Sequence, residues 1–158
     1  MGRRVSTRIK ALQPMSRSIR ARAPAASNES VSRAMRNLRH RGSFAEQCLR
    51  SRIHSLGFRF RKDYRPVTEL RCAADLVFRR QLVCVFFDGC FWHGCPRHFR
   101  VPRSNSAWWL EKIEDNRARD KRQTRQLRSR GWTVVRVWEH EPIERAAGRI
   151  VKALGTTS

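Results

Sequence analysis

The stretch that decides the fold runs from Val83 to His98 and reads VCVFFDGCFWHGCPRH. Its first half is a continuous apolar run rich in β-branched and aromatic residues. Such a run predicts a strand that is buried on both faces and ends at the turn Asp88-Gly89. Its second half places two cysteines, two histidines and two neighbouring large aromatics in one loop. Rigid scaffolds present reactive groups on loops of this kind, so we expect the functional site here.

The composition favours an anionic partner. The chain has 35 Lys and Arg residues against 13 Asp and Glu residues, which gives a formal net charge of +22 over 158 residues. Most of these cations are arginines. A guanidinium group can donate two parallel hydrogen bonds to two oxygens of one phosphate, so nucleic acid is the expected partner. The length accommodates one domain and a tail. No apolar run is long enough to span a bilayer and no secretory segment lies near Met1, so we expect no membrane partner.

The cysteines indicate a reducing compartment. An odd number of cysteines, two of them close to histidines, favours metal binding over a disulfide framework. The five are Cys48, Cys72, Cys84, Cys90 and Cys95.

The N-terminal residues 1–30 predict a disordered basic arm, because they are rich in Arg, Ser, Ala and Pro and lack sustained periodicity. Such an arm can lie along DNA. An organelle transit peptide, an N-myristoylation signal and a later start at Met15 or Met35 are the alternatives.

Two helices are predicted next. The first is a short basic helix over residues 32–40. The second opens at Ser43, which forms a capping box with Glu46, and ends at Gly57. On this pattern alone Glu46 is a helix cap.

The remaining chain predicts an edge strand, a two-stranded hairpin, a long helix, a further strand and a C-terminal helix. Their ranges are 58–61, 74–78 with 83–88, 106–130, 132–138 and 143–154. This order predicts an α/β (α+β) fold with a mixed central sheet flanked by helices.

Asp75 is an acid at the mouth of an apolar strand, where it requires a partner or a cation. The start of one hairpin strand adjoins the end of the other, so Asp75 should lie near Phe87 and Asp88. These groups would then be within reach of one metal ion and its waters.

Cys90, Cys95 and His98 follow the spacing Cys-x4-Cys-x2-His, and thiolates with imidazole are the ligands that zinc prefers. We expect His140 to supply the fourth ligand, because the strand before it belongs to the same sheet. His93 is the rival fourth ligand. Two free thiols and two surface histidines are the alternative to a metal site.

Several motifs, taken together, resemble the very-short-patch (Vsr) mismatch repair endonucleases. The resemblance covers roughly residues 31–154, which makes 31–156 the predicted endonuclease domain. The motifs are FFDGCFWHGCP at 86–96, WLEKI at 109–113, Asn116 with Arg119-Asp120, and Gly131-Trp132 leading into VWEH at 137–140.

This resemblance implies a restriction-endonuclease-like core and a set of catalytic roles. Asp75 looks like the magnesium-binding acid, and Phe87 lies where the family's second metal contact is a main-chain carbonyl. His93 looks like the general base and Glu46 like the acid that orients it. Asp88 stands where the family pattern has histidine, and it is included among the catalytic candidates.

The resemblance also implies a structural zinc held by Cys90, Cys95, His98 and His140. Asp120 resembles a position near the active centre, with simple ion pairs to neighbouring arginines such as Arg117 as the alternative.

Phe91, Trp92 and Trp109 resemble the aromatics that the family inserts into the base stack beside the mismatch, and core packing is the alternative. We also assign Met35 and Arg36, on the short basic helix, to DNA contact.

The implied activity is nicking of one DNA strand at a T:G mismatch left by 5-methylcytosine deamination, with catalytic Mg²⁺ and structural Zn²⁺. The implied partners are mismatched double-stranded DNA and, functionally, a DNA cytosine methyltransferase. We expect a monomer in the bacterial cytoplasm, associated with the nucleoid. The alternatives are a restriction-like or general repair nuclease that acts on paired DNA, and a non-catalytic zinc-stabilised DNA-binding module.

Overall fold

The computed structural model describes residues 29–155, without the side chains of residue 31 and residues 34–43. Most of the predicted arm, and the Met35 and Arg36 side chains assigned to DNA contact, therefore lie outside the described residues. Glu29 and Ser30, the last two positions of the predicted arm, begin the first helix.

Three helices and four strands make up this part of the chain. In chain order they are α1 (Glu29–Ser55), β1 (Arg61–Tyr64), β2 (Ala74–Phe78), β3 (Val83–Asp88), α2 (Ser106–Arg128), β4 (Thr133–Trp138) and α3 (Ile143–Gly155).

Helix α1 is continuous, so the prediction of two helices and of a capping box at Ser43 is wrong. Gly42 costs an interior helix only about 1 kcal/mol relative to alanine, and no proline interrupts the segment. The C-terminal half of α1 is anchored by Leu49 and Ile53, which are fully buried. The predicted end of the helix is confirmed, since Gly57 has a φ of +88° and donates its amide to the carbonyl of His54.

The four strands form one mixed sheet in the order β1-β2-β3-β4, which confirms the predicted fold class. Strands β1, β2 and β3 are antiparallel neighbours, and β3 runs parallel to β4. The edge strand begins at Arg61 instead of Phe58, so its predicted range is wrong. The aromatic alternation at Phe58 and Phe60 reflects packing of both rings against the core, not strand pairing.

Strand β3 lies between two apolar layers, as its sequence predicts. Helices α1 and α3 cover one face of the sheet around Val83 and Val85. Helix α2 covers the other face through Leu127, which packs near Cys84 and Phe86. Burial on both sides fixes the position of β3 and therefore of the loop that leaves its C-terminal end.

The register of the sheet brings three chain segments to the end of β3. Asp88 pairs with Trp138 in the parallel β3–β4 ladder, so the loop after Asp88 begins beside Glu139 and His140. The amide of Glu139 donates to the carbonyl of Asp88 over 3.0 Å. On the other side, the antiparallel β2–β3 register directs the start of β2, and with it Asp75, to the same end. None of the helices in residues 29–155 has the length and apolar character needed to cross a membrane.

Candidate functional site

Four predicted metal ligands meet beyond the end of β3. The donor atoms of Cys90, Cys95, His98 and His140 lie within 4.8 Å of one another. Nδ1 of His140 is 3.1 Å from Sγ of Cys90 and 3.7 Å from Sγ of Cys95, and Nδ1 of His98 is 3.7 Å from both sulfurs. With Zn–S of about 2.3 Å and Zn–N of about 2.0–2.1 Å, tetrahedral geometry separates sulfur from nitrogen by about 3.5 Å. The four residues therefore fit a tetrahedral ion.

Backbone contacts hold this group of ligands in place. The amide of Cys95 donates to the carbonyl of Cys90 over 2.8 Å, which closes the loop on itself. The amide of Cys90 donates to Oε2 of Glu139 over 2.7 Å, which ties the loop to the segment carrying His140. Burial, followed by the charge of His98, lowers the pKa of His140, which favours the neutral imidazole that a metal requires.

His93 belongs to a different group and is not part of the Cys2His2 set. Its Nδ1 lies 2.5 Å from Oδ2 of Asp120 and 3.4 Å from Oδ1 of Asp88. Burial raises the pKa of Asp120, but the contacts with His93, Arg136 and Arg119 outweigh it and hold that pKa below its usual value. An ionised carboxylate only accepts hydrogen bonds, so Nδ1 of His93 carries the proton. In the neutral imidazole, Nε2 is then left as a proton acceptor.

Asp88 forms a bidentate ion pair with Arg136. Nε of Arg136 is 2.6 Å from Oδ2 of Asp88 and Nη2 is 2.5 Å from Oδ1. Asp88 is only 3% exposed, so this guanidinium replaces the contacts with water that the carboxylate lacks. Arg136 also lies 3.4 Å from Asp120, between the two carboxylates that flank His93. The structure thus gives Asp88 a supporting contact with His93, while its assignment as a catalytic residue stays a prediction.

One face of α2 holds the backbone around His93. Nδ2 of Asn116 donates to the carbonyl of Trp92 over 2.9 Å, and Nη2 of Arg117 donates to the carbonyl of Gly94. The close approach requires glycine at position 94, where φ is +61° and a Cβ atom would lie 2.5 Å from Cγ2 of Ile113. The carbonyls of the residues before and after His93 are therefore both held by α2, and Asp120 on the same helix contacts its imidazole.

Asp75 lies on the other side of the end of β3. Its Oδ2 accepts a hydrogen bond from the amide of Phe87 over 2.7 Å, so the residue whose carbonyl is predicted to contact a metal lies beside it. Carboxylate oxygens of Glu46, Asp63 and Asp75 lie within 4.8 Å of one another. Burial, and then the charges of Asp63 and Asp88, raises the pKa of Asp75 against the opposing contacts of Phe87 and Arg50. A bound cation would relieve the crowding of these negative charges.

The position of Glu46 differs from the predicted one. Glu46 pairs with Arg50 and is grouped with Asp63 and Asp75, whereas the described partners of His93 are Asp120 and Asp88. Burial, and then the charge of Asp75, raises the pKa of Glu46. The acid within hydrogen-bond distance of His93 in this structure is Asp120, which also pairs with the neighbouring Arg119 and with Arg136. The pairing with arginines is therefore present together with the contact to His93, and the orienting role of an acid stays a prediction.

The three predicted intercalating aromatics form a single cluster outside both core layers. The Phe91 ring lies 5.2 Å from Trp92 and 5.0 Å from Trp109 in edge-to-face geometry, and the two tryptophans are 6.0 Å apart. Phe99 and Trp108 border the cluster. All three predicted rings are partly exposed, so core burial does not account for them.

A mixed sheet flanked by helices, with acids and a histidine at one strand end, places the chain among restriction-endonuclease-like α/β nucleases. The sequence model of the family "DNA mismatch endonuclease Vsr" matches residues 25–98. The chain is 41% identical over 133 residues to the type II nicking enzyme V.NaeI of Lentzea aerocolonigenes, covering 83% of this chain and 80% of that relative.

Two further relatives agree with this match. The type II nicking enzyme V.XorIIP of Xanthomonas oryzae pv. oryzae is 39% identical, with coverage of 68% of this chain and 77% of the relative. The DNA mismatch endonuclease Vsr of Escherichia coli is 35% identical, with coverage of 68% of each chain. This chain therefore belongs to the Vsr family of DNA endonucleases, as its motifs indicate.

The ion pair between Asp88 and Arg136 yields a stability prediction. Arg136→Met leaves a buried carboxylate without its partner, and we expect a loss of about 3–5 kcal/mol in the free energy of unfolding. Arg52→Met is the control, because it breaks an exposed pair with Glu144 and should cost less than about 1 kcal/mol. Urea denaturation followed by circular dichroism measures both. Equal losses in the two variants would contradict a buried, interdependent pair.

Proposed function

We propose that this protein is a Mg²⁺-dependent endonuclease that nicks one strand of duplex DNA at a T:G mismatch arising from 5-methylcytosine deamination. The observation that carries the proposal is the convergence of two groups on consecutive residues of β3. Asp75 accepts the amide of Phe87, and His93 lies 3.4 Å from Asp88. The Cα atoms of Phe87 and Asp88 are neighbours, about 3.8 Å apart. The carboxylate of Asp75 and the candidate base His93 therefore lie on either side of the same strand end.

The donor sets suit two different metals. The oxygens of Asp75, Glu46 and Asp63 and the carbonyl of Phe87 are hard ligands of the kind that Mg²⁺ prefers. The two sulfurs and two imidazoles of the second group suit Zn²⁺. Magnesium, when bound, supplies positive charge that stabilises the scissile phosphate and the leaving oxygen. The zinc group is structural, because all four of its ligand positions are taken by side chains.

His93 acts as the general base. Its Nε2 takes the proton from the attacking water, and Asp120 stabilises the imidazolium that forms while it keeps the ring in the correct tautomer. Asn116 and Arg117 hold the carbonyls of the residues on either side of His93, which limits its movement during the proton transfer. Asp88, neutralised by Arg136, supports the same imidazole from the other side.

The aromatic cluster supplies the selectivity for a mismatch. Flat apolar rings compensate for lost base stacking, and a mispaired step costs less to open than a paired one. Phe91, Trp92 and Trp109 are partly exposed and lie on the loop and helix that also position His93. Insertion of these rings beside the mismatch would therefore be coupled to placement of the base.

The chemistry of the substrate suggests the cellular context. T:G pairs of this origin require a methylated cytosine, so we propose a functional link to a DNA cytosine methyltransferase. We further propose that the protein acts as a monomer on double-stranded DNA, in the bacterial cytoplasm at the nucleoid.

A nicking assay tests the proposed activity. We expect the purified protein with Mg²⁺ to nick one strand of a labelled T:G duplex and to leave the matching C:G duplex intact. Asp75→Asn should lower the single-turnover rate by at least about 10²-fold, because the metal loses its main carboxylate. Binding measured by fluorescence anisotropy without Mg²⁺ should be unchanged. Equal nicking of both duplexes would point to a nuclease of paired DNA, and binding without Mg²⁺-dependent nicking would point to a non-catalytic module.

Asp120 gives a second prediction with a control on the same helix. Asp120→Asn should lower the single-turnover rate by about 10²-fold or more, because it removes the charge that fixes the His93 tautomer. Asp115→Asn removes an exposed carboxylate from the opposite face of α2 and should leave the rate unchanged. The rate is measured at saturating Mg²⁺ and DNA, so weaker binding does not contribute. Parallel losses in both variants would reject a specific role for Asp120.

A further inference from the structure

One face of α2 carries a row of positive charges that begins at Lys121, the residue after the Asp120 that contacts His93. We call Lys121, Arg125 and Arg128 the basic stripe. Their spacing of four and three residues places them on one side of the helix. The basic stripe lines an open cleft of about 850 Å³, and His93, Asp88, Asp120 and Arg136 line the same cleft. The candidate base and the row of cations therefore share one continuous surface.

Two of the five cations that line the cleft already have partners. Arg117 donates to the carbonyl of Gly94, and Arg136 pairs with Asp88. Lys121, Arg125 and Arg128 differ from these two. All three are exposed, and within residues 29–155 no acidic side chain lies within ion-pair distance of them. Three positive charges thus face the cleft without a counter-charge from the described part of the protein.

The helix dipole explains only part of this arrangement. Arg125 and Arg128 lie in the last turn of α2, where cations interact favourably with the helix C-terminus. Lys121 lies earlier in the helix, at the position after Asp120, and gains little from the dipole. It lines the same cleft as His93, and a cation in this position indicates an anionic ligand that extends along the cleft.

The dimensions of the basic stripe suit a nucleic acid strand. From Lys121 to Arg128 the helix rises about 10.5 Å at about 1.5 Å per residue. One DNA strand advances about 3.4 Å per nucleotide along the duplex axis, so the row spans about three nucleotides. We propose that the basic stripe binds backbone phosphates of the nicked strand, next to the phosphate that is cut. This inference rests on the proposed function, because it takes the DNA substrate as the occupant of the cleft.

The test compares two variants that each remove two exposed positive charges. The first is Lys121→Gln with Arg125→Gln. The control is Arg79→Gln with Arg80→Gln, in the β2–β3 turn at the far end of the sheet from His93. DNA binding is measured by fluorescence anisotropy from low to high salt without Mg²⁺, and nicking is measured separately with Mg²⁺. Thermal melts establish that both variants fold.

Log K, where K is the association constant, falls as log salt rises, and each lost phosphate contact should make this slope less negative by about 0.9. The slope of the stripe variant should therefore be less negative by about 1.8, and the variant should bind DNA roughly tenfold or more weakly at about 0.1 M salt. Its nicking at sub-saturating DNA should fall in proportion to its lost affinity, because the stripe acts on binding. The slope of the control variant should change by less than about 0.45, which is half of the change expected for one phosphate contact.

An unchanged slope in the stripe variant, or an equal change in the control, would overturn the proposal. The first result would mean that the cleft is not occupied by phosphates, and the second that only total charge matters. Because binding is measured without Mg²⁺, this outcome is independent of nicking. The parent protein could fail to nick T:G DNA while the stripe variant still shows a less negative slope of log K against log salt. That result would reject the proposed function and leave the phosphate-binding proposal standing.

Discussion

The pairing of β3 with both of its neighbours is the constraint on which the rest of the structure depends. The antiparallel partner β2 starts, and the parallel partner β4 ends, at the end of the sheet where β3 stops. This pairing brings together the cluster of carboxylates around Asp75, the loop with two cysteines and the segment that leads to His140. Because both faces of β3 are packed under helices, a shift of its register by one residue would exchange the side chains of the two apolar layers and disrupt the packing of both. The geometry of the site is thus protected by the stability of the core.

Helix α2 adds the second half of the arrangement. Its inner face packs on the sheet through Leu127, holds the loop backbone through Asn116, and orients the imidazole of His93 through Asp120. The same helix carries Trp109 at one end of the site and the cations that line the cleft at the other. A single rigid element therefore sets the distances between the candidate base, the aromatic cluster and the basic surface. Catalysis tolerates only small errors in the positions of the reacting groups. Placement of all three groups by one helix keeps such errors small.

Local sequence patterns predicted the parts of the fold and site that depend on local physics. The apolar run of β3, the short connection to β2 and the Cys-x4-Cys-x2-His spacing each determine their structure within a few residues. The role of Glu46 required more, because the rotation of α1 relative to the sheet decides whether its carboxylate meets His93 or Asp75. The capping pattern at Ser43 was misleading, since the same residues are tolerated inside a helix. Arg136 did carry a usable signal, because a charge within a buried strand needs a buried counter-charge, and Asp88 on the adjacent strand supplies it.

We propose that the end of β3 holds two metal sites of different chemistry and that His93 is a ligand of neither. Anomalous X-ray scattering from crystals of the protein grown with Mn²⁺ in place of Mg²⁺ tests it most directly. We expect a zinc peak surrounded by Cys90, Cys95, His98 and His140, and a manganese peak beside Asp75 and the carbonyl of Phe87. A zinc peak coordinated by His93, or a manganese peak remote from Asp75, would contradict the account.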